Sequence, residues 1–275
     1  MSSRSFPSDM GTQERRVQEQ RLTAAERERY SRQMLLAGVG EAGQRKLLAA
    51  KILIIGAGGL GSPAAMYLAA AGIGEIGIVD DDRVDLSNLQ RQIAHRTEDV
   101  GTMKADSMAA TLAALNPDVR IRTYHERIGA DNIAGILSDQ DYDFVLDCTD
   151  NFPTKFLIND ACVRLQKSFS HAGVVGFGGQ IMTIVPGKGP CYRCIFEDVP
   201  KEGTVPTSHE IGILGAVPGI LGTLQATEAI KYILDVGELL IGRMLIYDAL
   251  RMSFRTVKLP QRNARCTVCW QDAGV

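Results

Sequence analysis

The chain has 275 residues, 45% of them hydrophobic, with 30 basic side chains against 32 acidic ones. That length can bury one large core or two modest ones, and the balanced charge argues against a general affinity for nucleic acid or a membrane surface. Gly, Pro or charge interrupts the apolar runs before about 20 residues, and the N-terminus lacks a signal-peptide core, so a cytoplasmic protein is expected.

Residues 1–24 are polar and rich in arginine, glutamate and glutamine, a composition expected of a solvated tail or helix. The first strong pattern is the β-branched run Lys51-Ile52-Leu53-Ile54-Ile55, followed by Gly56-Ala57-Gly58-Gly59-Leu60-Gly61 and a helix-forming stretch from Pro63 to Ala71. Strand, glycine turn and helix in that order let the backbone approach a phosphate, which the free amides and positive dipole end of the helix attract. Ile76-Gly77-Ile78-Val79-Asp80 forms the next strand, and the acid at its end lies roughly 20 residues beyond the glycines, where ribose hydroxyls are bound in such folds.

Ser87-Asn88-Leu89-Gln90-Arg91-Gln92 then places a cation where a dinucleotide site needs none. An NAD-dependent oxidoreductase is the competing reading, and it predicts a proton-transferring group beside the substrate. None of the four histidines occupies an obvious position of that kind. A helix is expected near Lys104 to Leu115, and strands near Arg120 to Tyr124 and at Phe144 to Asp147. The loop Asp147-Cys148-Thr149-Asp150-Asn151 follows, then a helix from Thr154 to Gln166 and a strand at Phe169 to Ala172. This alternation predicts a doubly wound, Rossmann-like, mostly parallel α/β sheet. Strands at Gln180 to Val185, Met244 to Asp248 and Phe254 to Leu259, with a helix from about Ile220 to Leu234, should extend it in antiparallel fashion.

Four of the six cysteines form two pairs, Cys191-Tyr192-Arg193-Cys194 and Cys266-Thr267-Val268-Cys269. Each spacing lets two thiolates share one tetrahedral ion, so the pairs predict a closed, structural zinc clamp that staples the tail to the body. Cys148 and Cys162 fall at a strand end and in a helix, positions expected of core thiols. Arg91, Lys104 and Asp150 should meet at the carboxyl ends of the strands, where two cations and an acid suit a magnesium-bound triphosphate.

Together with Arg29-Tyr30-Ser31-Arg32-Gln33 and Leu224-Gln225-Ala226, these motifs resemble the bacterial ubiquitin-activating-type adenylyltransferases from about Ala24 to Cys269. Within that superfamily the chain is similar to the molybdopterin-synthase and thiamine sulfur-carrier adenylyltransferases. The resemblance implies a single adenylation domain over 25–270, with a nucleotide-binding half at about 48–170 and a carrier-binding, zinc-holding half at about 171–270. It implies that ATP and Mg²⁺ adenylate the C-terminal glycine carboxylate of a ubiquitin-like sulfur carrier, releasing pyrophosphate, in thiamine or molybdenum-cofactor biosynthesis.

By the same resemblance, Gly59 faces the phosphates, Asp80 binds ribose, Asn88, Arg91 and Lys104 contact phosphate, and Asp150 beside Asn151 associates with magnesium. Arg32 reaches the triphosphate of the neighbouring subunit in a homodimer. A terminal carboxylate, with a pKa of about 3.5, is already an anionic nucleophile at neutral pH and needs no general base. A non-catalytic relative that only binds the carrier is the third reading, opposed by the joint presence of Arg91, Lys104 and Asp150.

Many relatives carry a capturing cysteine where this chain aligns Ser208, in Thr207-Ser208-His209-Glu210, which leaves the family's usual covalent thiol step without its nucleophile at that position. Glu197 to Glu210 has turn chemistry and resembles a crossing loop over the carrier's tail. With no second catalytic domain after Cys269, a separate sulfurtransferase is expected as partner.

Overall fold

A computed structural model describes residues 21–201, 203–204 and 208–269. Short helices α1 (Ala24–Arg29), α2 (Ser31–Met34) and α3 (Gly40–Ala49) precede the sheet. Thr23 starts α1 with a capping box: its hydroxyl accepts from Glu26 N at 3.1 Å while its own amide donates to Glu26 Oε2 at 2.6 Å. Residues 1–20 of the expected polar tail lie outside the described residues.

The sheet then builds in chain order. Strand β1 (Lys51–Ile55) is followed by α4 (Gly61–Ala71), β2 (Glu75–Val79), α5 (Lys104–Leu115) and β3 (Arg120–Tyr124). Next come α6 (Ile133–Asp139), β4 (Phe144–Asp147), α7 (Phe152–Arg164), β5 (Phe169–Val175) and β6 (Gly178–Ile184). The chain ends with α8 (Tyr192–Phe196), α9 (Ser208–Ile211), α10 (Ala216–Leu234), β7 (Arg243–Asp248) and β8 (Ser253–Lys258).

The eight strands lie in the order β3-β2-β1-β4-β5-β6-β7-β8. Pairing is parallel from β3 through β5 and antiparallel from β5 through β8, the expected Rossmann-like sheet with an antiparallel extension. Sequence patterning left out helices α2, α3, α6 and α8, of which α6 lies within the parallel half of the sheet. Parallel strands β3 and β4 require a crossover connection, and Ile133, Ile136 and Leu137 supply its buried face.

The central strands are apolar throughout because helices cover both sides. Ile52 and Ile54 of β1 enter one core with Leu68 of α4 and Leu221 of α10, while Leu53 and Ile55 enter the other with Phe156 of α7 and the cysteine-rich end of the chain. Gly222 sets the first layer's spacing, since a Cβ there would run into the carbonyl of Leu60 at the start of α4. Glu75 is buried at the start of β2, where Arg120 (3.2 Å) and Arg122 (2.9 Å) of β3 neutralise it.

The sheet order reverses between β1 and β4, so the turns after these strands flank one crevice, as open α/β sheets require of a ligand site. Helix α9 is a single turn inside the stretch expected to be irregular. Residues 202 and 205–207 of that stretch lie outside the described residues, as does the environment of the Ser208 side chain.

Candidate functional site

The crevice at the switch point is a cavity of about 1050 Å³. Gly59, Asp80, Arg91, Lys104, Asp150 and Asn151 all line it, so six of the expected site residues converge as the topology predicts. Asn88 and Arg32 do not line it. Asn88 closes the short turn Leu86–Asn88, its Oδ1 accepting from Asp85 N at 3.2 Å, and Arg32 is exposed on α2.

The glycine turn is held from two sides. Asp80, half-buried at the end of β2, accepts the Ala57 amide at 2.7 Å and the Asp82 amide at 2.9 Å. Burial raises its carboxyl above the usual range, and the Ala57 amide and Lys104 partly offset that. His95 Nε2 lies 2.9 Å from Ala57 O and His95 Nδ1 lies 2.8 Å from Ser107 Oγ. Burial keeps this imidazole neutral by lowering its pKa. At Gly56 the backbone has φ 104°, and a Cβ would sit 2.7 Å from Cys148 O, so only glycine lets the two crevice turns approach this closely.

Opposite the glycines, Lys104 opens α5 with its stem buried and its ammonium 2.7 Å from Asp82 Oδ2. Arg91 is half-buried, its guanidinium donating to Ser87 O at 3.2 Å. Asp150 is exposed at the rim, while Asn151 caps α7, its Oδ1 accepting from Thr154 N at 3.0 Å. Two cations facing a glycine turn and a helix start suit a polyanion, and the carboxylates of Asp80 and Asp150 suit hydroxyls and a divalent cation. Among the described side chains no histidine lines the cavity.

Sequence reasoning missed Asp82, His95, Lys155 and His171, and noted Gln92 only within a motif. Lys155 carried a signal: with Ile158, Asn159 and Cys162 it shares the buried face of α7, a lysine at a core position. His95 and His171 carried none, because their partners come from distant parts of the chain. Gln225 was noted only within a motif; it is fully buried and donates to Asp147 O at 2.9 Å and Ser170 O at 3.2 Å, tying α10 to the ends of β4 and β5.

The four paired cysteines come together as expected, all their sulfurs within 4.8 Å of one another. Neighbouring sulfurs lie at 3.8 Å (Cys191–Cys194), 3.5 Å (Cys191–Cys266) and 3.3 Å (Cys194–Cys269). A tetrahedral ion with bonds of about 2.3 Å would set them about 3.8 Å apart, so the donor set and its spacing fit such a metal. Cys148 and Cys162 are buried outside this cluster, and burial pushes both thiols far above their ordinary pKa.

Among the described residues no helix is long and apolar enough to cross a membrane. The chain is 48% identical over 249 residues to the SAMP-activating enzyme E1 of Haloferax volcanii, covering 90% of each chain. It is 46% identical over 257 residues to the sulfur carrier protein adenylyltransferase of Thermus thermophilus, covering 92% of this chain and 94% of that protein. A crystal structure of E. coli MccB with ATP superposes with a TM-score of 0.75 at 26% identity, over 88% of this chain and 74% of that one. The ThiF family profile matches residues 30–268, and with relatives of this similarity the chain belongs to the ThiF family.

Proposed function

We propose that this chain is an ATP-dependent adenylyltransferase acting on the C-terminal carboxylate of a ubiquitin-like sulfur-carrier protein. The observation that carries the reading is the meeting of Arg91 and Lys104 with the glycine turn in one cavity of about 1050 Å³. The sulfur carrier protein adenylyltransferase relative, aligned over nearly its whole length, supports the substrate class.

In this reading Gly59 faces the polyphosphate, Asp80 takes the ribose hydroxyls, and Arg91 and Lys104 offset the charge that would repel an incoming carboxylate. Lys104 exchanges Asp82 for phosphate when nucleotide binds. The carrier's carboxylate attacks the α-phosphate, forming a C–O–P acyl phosphate bond as the bond to pyrophosphate breaks. It is ionised already, so the site supplies alignment and charge relief rather than a base. Mg²⁺, held by Asp150, would neutralise phosphate charge. Asn151, the cap of α7, completes the polar lining of this reading, and Asn88, outside the cavity of the single chain, would contact phosphate once nucleotide is bound.

The cysteine cluster binds Zn²⁺ in this proposal, with all four positions taken by protein thiolates and a structural role only. The chain acts as one adenylation domain over 25–270, nucleotide held by about 48–170 and carrier and zinc by about 171–270. A homodimer would bring Arg32 to the partner subunit's site, and sulfur would come from a separate sulfurtransferase in the cytoplasm, where thiols stay reduced. Thiamine and molybdenum-cofactor carriers are the two candidate substrates. The test is carrier-dependent exchange of labelled pyrophosphate into ATP with each carrier in turn; no exchange with any carrier overturns the reading.

A further inference from the structure

Beneath the Asp150 loop lies a group of buried charged side chains. Asp147, fully buried at the end of β4, meets Lys155 Nζ at 3.4 Å on each oxygen, His171 Nδ1 at 2.8 Å and the Thr149 hydroxyl at 2.7 Å. Lys155 also donates to Ala172 O at 2.8 Å. Burial opposes ionisation of Asp147, but Lys155, His171 and Thr149 outweigh it and hold the carboxyl well below the usual range. Burial and the Lys155 charge keep His171 neutral, so its Nδ1–H donates to the carboxylate. One carboxylate therefore joins β4, α7 and β5, and the residue it grips, Thr149, directly precedes Asp150.

On its other side this group touches the metal cluster. The His171 ring packs on Tyr192 with centroids 4.4 Å apart, and Tyr192 packs on Phe156 at 4.9 Å. Tyr192 lies between cluster residues Cys191 and Cys194. Helix α8 is fastened to α7 by Asn159, whose Oδ1 accepts the Tyr192 amide at 2.8 Å, and by the Arg193 fork on Asp160 at 2.7 and 2.9 Å. The contacts run without a gap from the thiolate cluster through Tyr192, His171 and Asp147 to the loop at the nucleotide cavity.

We infer that Tyr192 and His171 are positioning residues: the metal-bound cysteine turn presses Tyr192 onto His171, and this contact orients the Asp147 carboxylate and the Thr149–Asp150 loop for nucleotide binding. The metal would thus set the geometry of the distant site as well as fasten the tail. A buried charge group has few acceptable arrangements, since each lost partner leaves an uncompensated charge, so a displaced histidine cannot be absorbed locally. The inference rests on the proposed adenylation function, because it takes the loop to face MgATP.

The test is calorimetric titration of the full, metal-loaded chain with MgATP, with metal content measured for every variant. Tyr192→Leu should keep its metal and raise the MgATP Kd about tenfold, while Tyr192→Phe, which keeps the ring, stays within about twofold. His171→Asn retains a donor for Asp147 but removes the ring face, and should weaken binding by a similar factor. It also carries the test if Tyr192→Leu does not fold. In the double variant the Tyr192 change should add nothing, since the contact is already gone. Metal-loaded Tyr192→Leu or His171→Asn protein that binds MgATP like wild type overturns the inference, as do losses that multiply. If wild-type protein itself neither binds MgATP nor catalyses carrier-dependent exchange, the adenylation reading falls instead.

Discussion

The Asp80 carboxylate accepts the Ala57 amide at 2.7 Å, binding the end of β2 to the glycine turn after β1. His95 holds the carbonyl of the same residue at 2.9 Å, so one residue of the turn is gripped through both its amide and its carbonyl. A phosphate-facing turn fixed in this way needs little ordering when ligand arrives, which preserves binding energy for the ligand itself.

Asp80→Asn separates function from stability. The folded-state pKa of Asp80 is raised by burial, so its stabilising contribution is present at low pH and is lost as pH rises through the folded value. Near pH 7 the ionised form is therefore a cost to folding that Asn removes, offset by the loss of one of the two accepted amides, since the Asn NH2 cannot accept. We expect a melting temperature within a few degrees of wild type and a KM for ATP about tenfold higher, measured by pyrophosphate exchange.

Lys104→Met keeps the buried stem and deletes the charge. If this ammonium offsets polyphosphate charge, carrier-dependent exchange should fall about 100-fold with an unchanged circular dichroism spectrum. Activity close to wild type would remove Lys104 from the site.

Acid should destabilise the fold partly through two histidines. Burial lowers the pKa of both His95 and His171. A lowered folded value means the neutral form is favoured, so this stabilisation is complete above the unfolded value of about 6.5 and declines as pH falls below it. Thermal melts from pH 8 down to pH 5 should show the decline starting near that value, and His95→Gln should flatten it.

Cys266→Ser opens the thiolate cluster. The variant should lose its metal, read by elemental analysis against about one ion per wild-type chain. It should melt about 10 °C lower, corresponding to roughly 3 kcal/mol in a chain of this size. Cys148→Ala, outside the cluster, should retain the ion.

Gly222→Ala tests the packing of α10 on α4. The added methyl meets the Leu60 backbone carbonyl, which cannot swing aside as a side chain could. A loss of about 2–3 kcal/mol in denaturant unfolding is expected, with the metal content unaffected.

By itself the sequence determined the parallel core of the sheet and its antiparallel extension, because period and punctuation are local properties: β-branched runs, a glycine turn, an acid at a strand end. It also determined the cysteine pairs, whose spacing within each pair is short. Six of the residues proposed for the nucleotide site were legible too: five lie just after a strand or at a helix start, where the topology collects them, and Arg91 lies in the Ser87–Gln92 motif further along the connection from β2 to α5. Helix α6 escaped notice because its apolar face is short. Only the tertiary structure decided that Lys155 and His171 meet Asp147 beneath the Asp150 loop and that Tyr192 bridges them to the cysteines. It also left Arg32 and Asn88 outside the cavity of a single chain. Apart from Lys155 and Asp147, those contacts join residues on different elements well separated in sequence, and local pattern does not encode the partner that folding supplies.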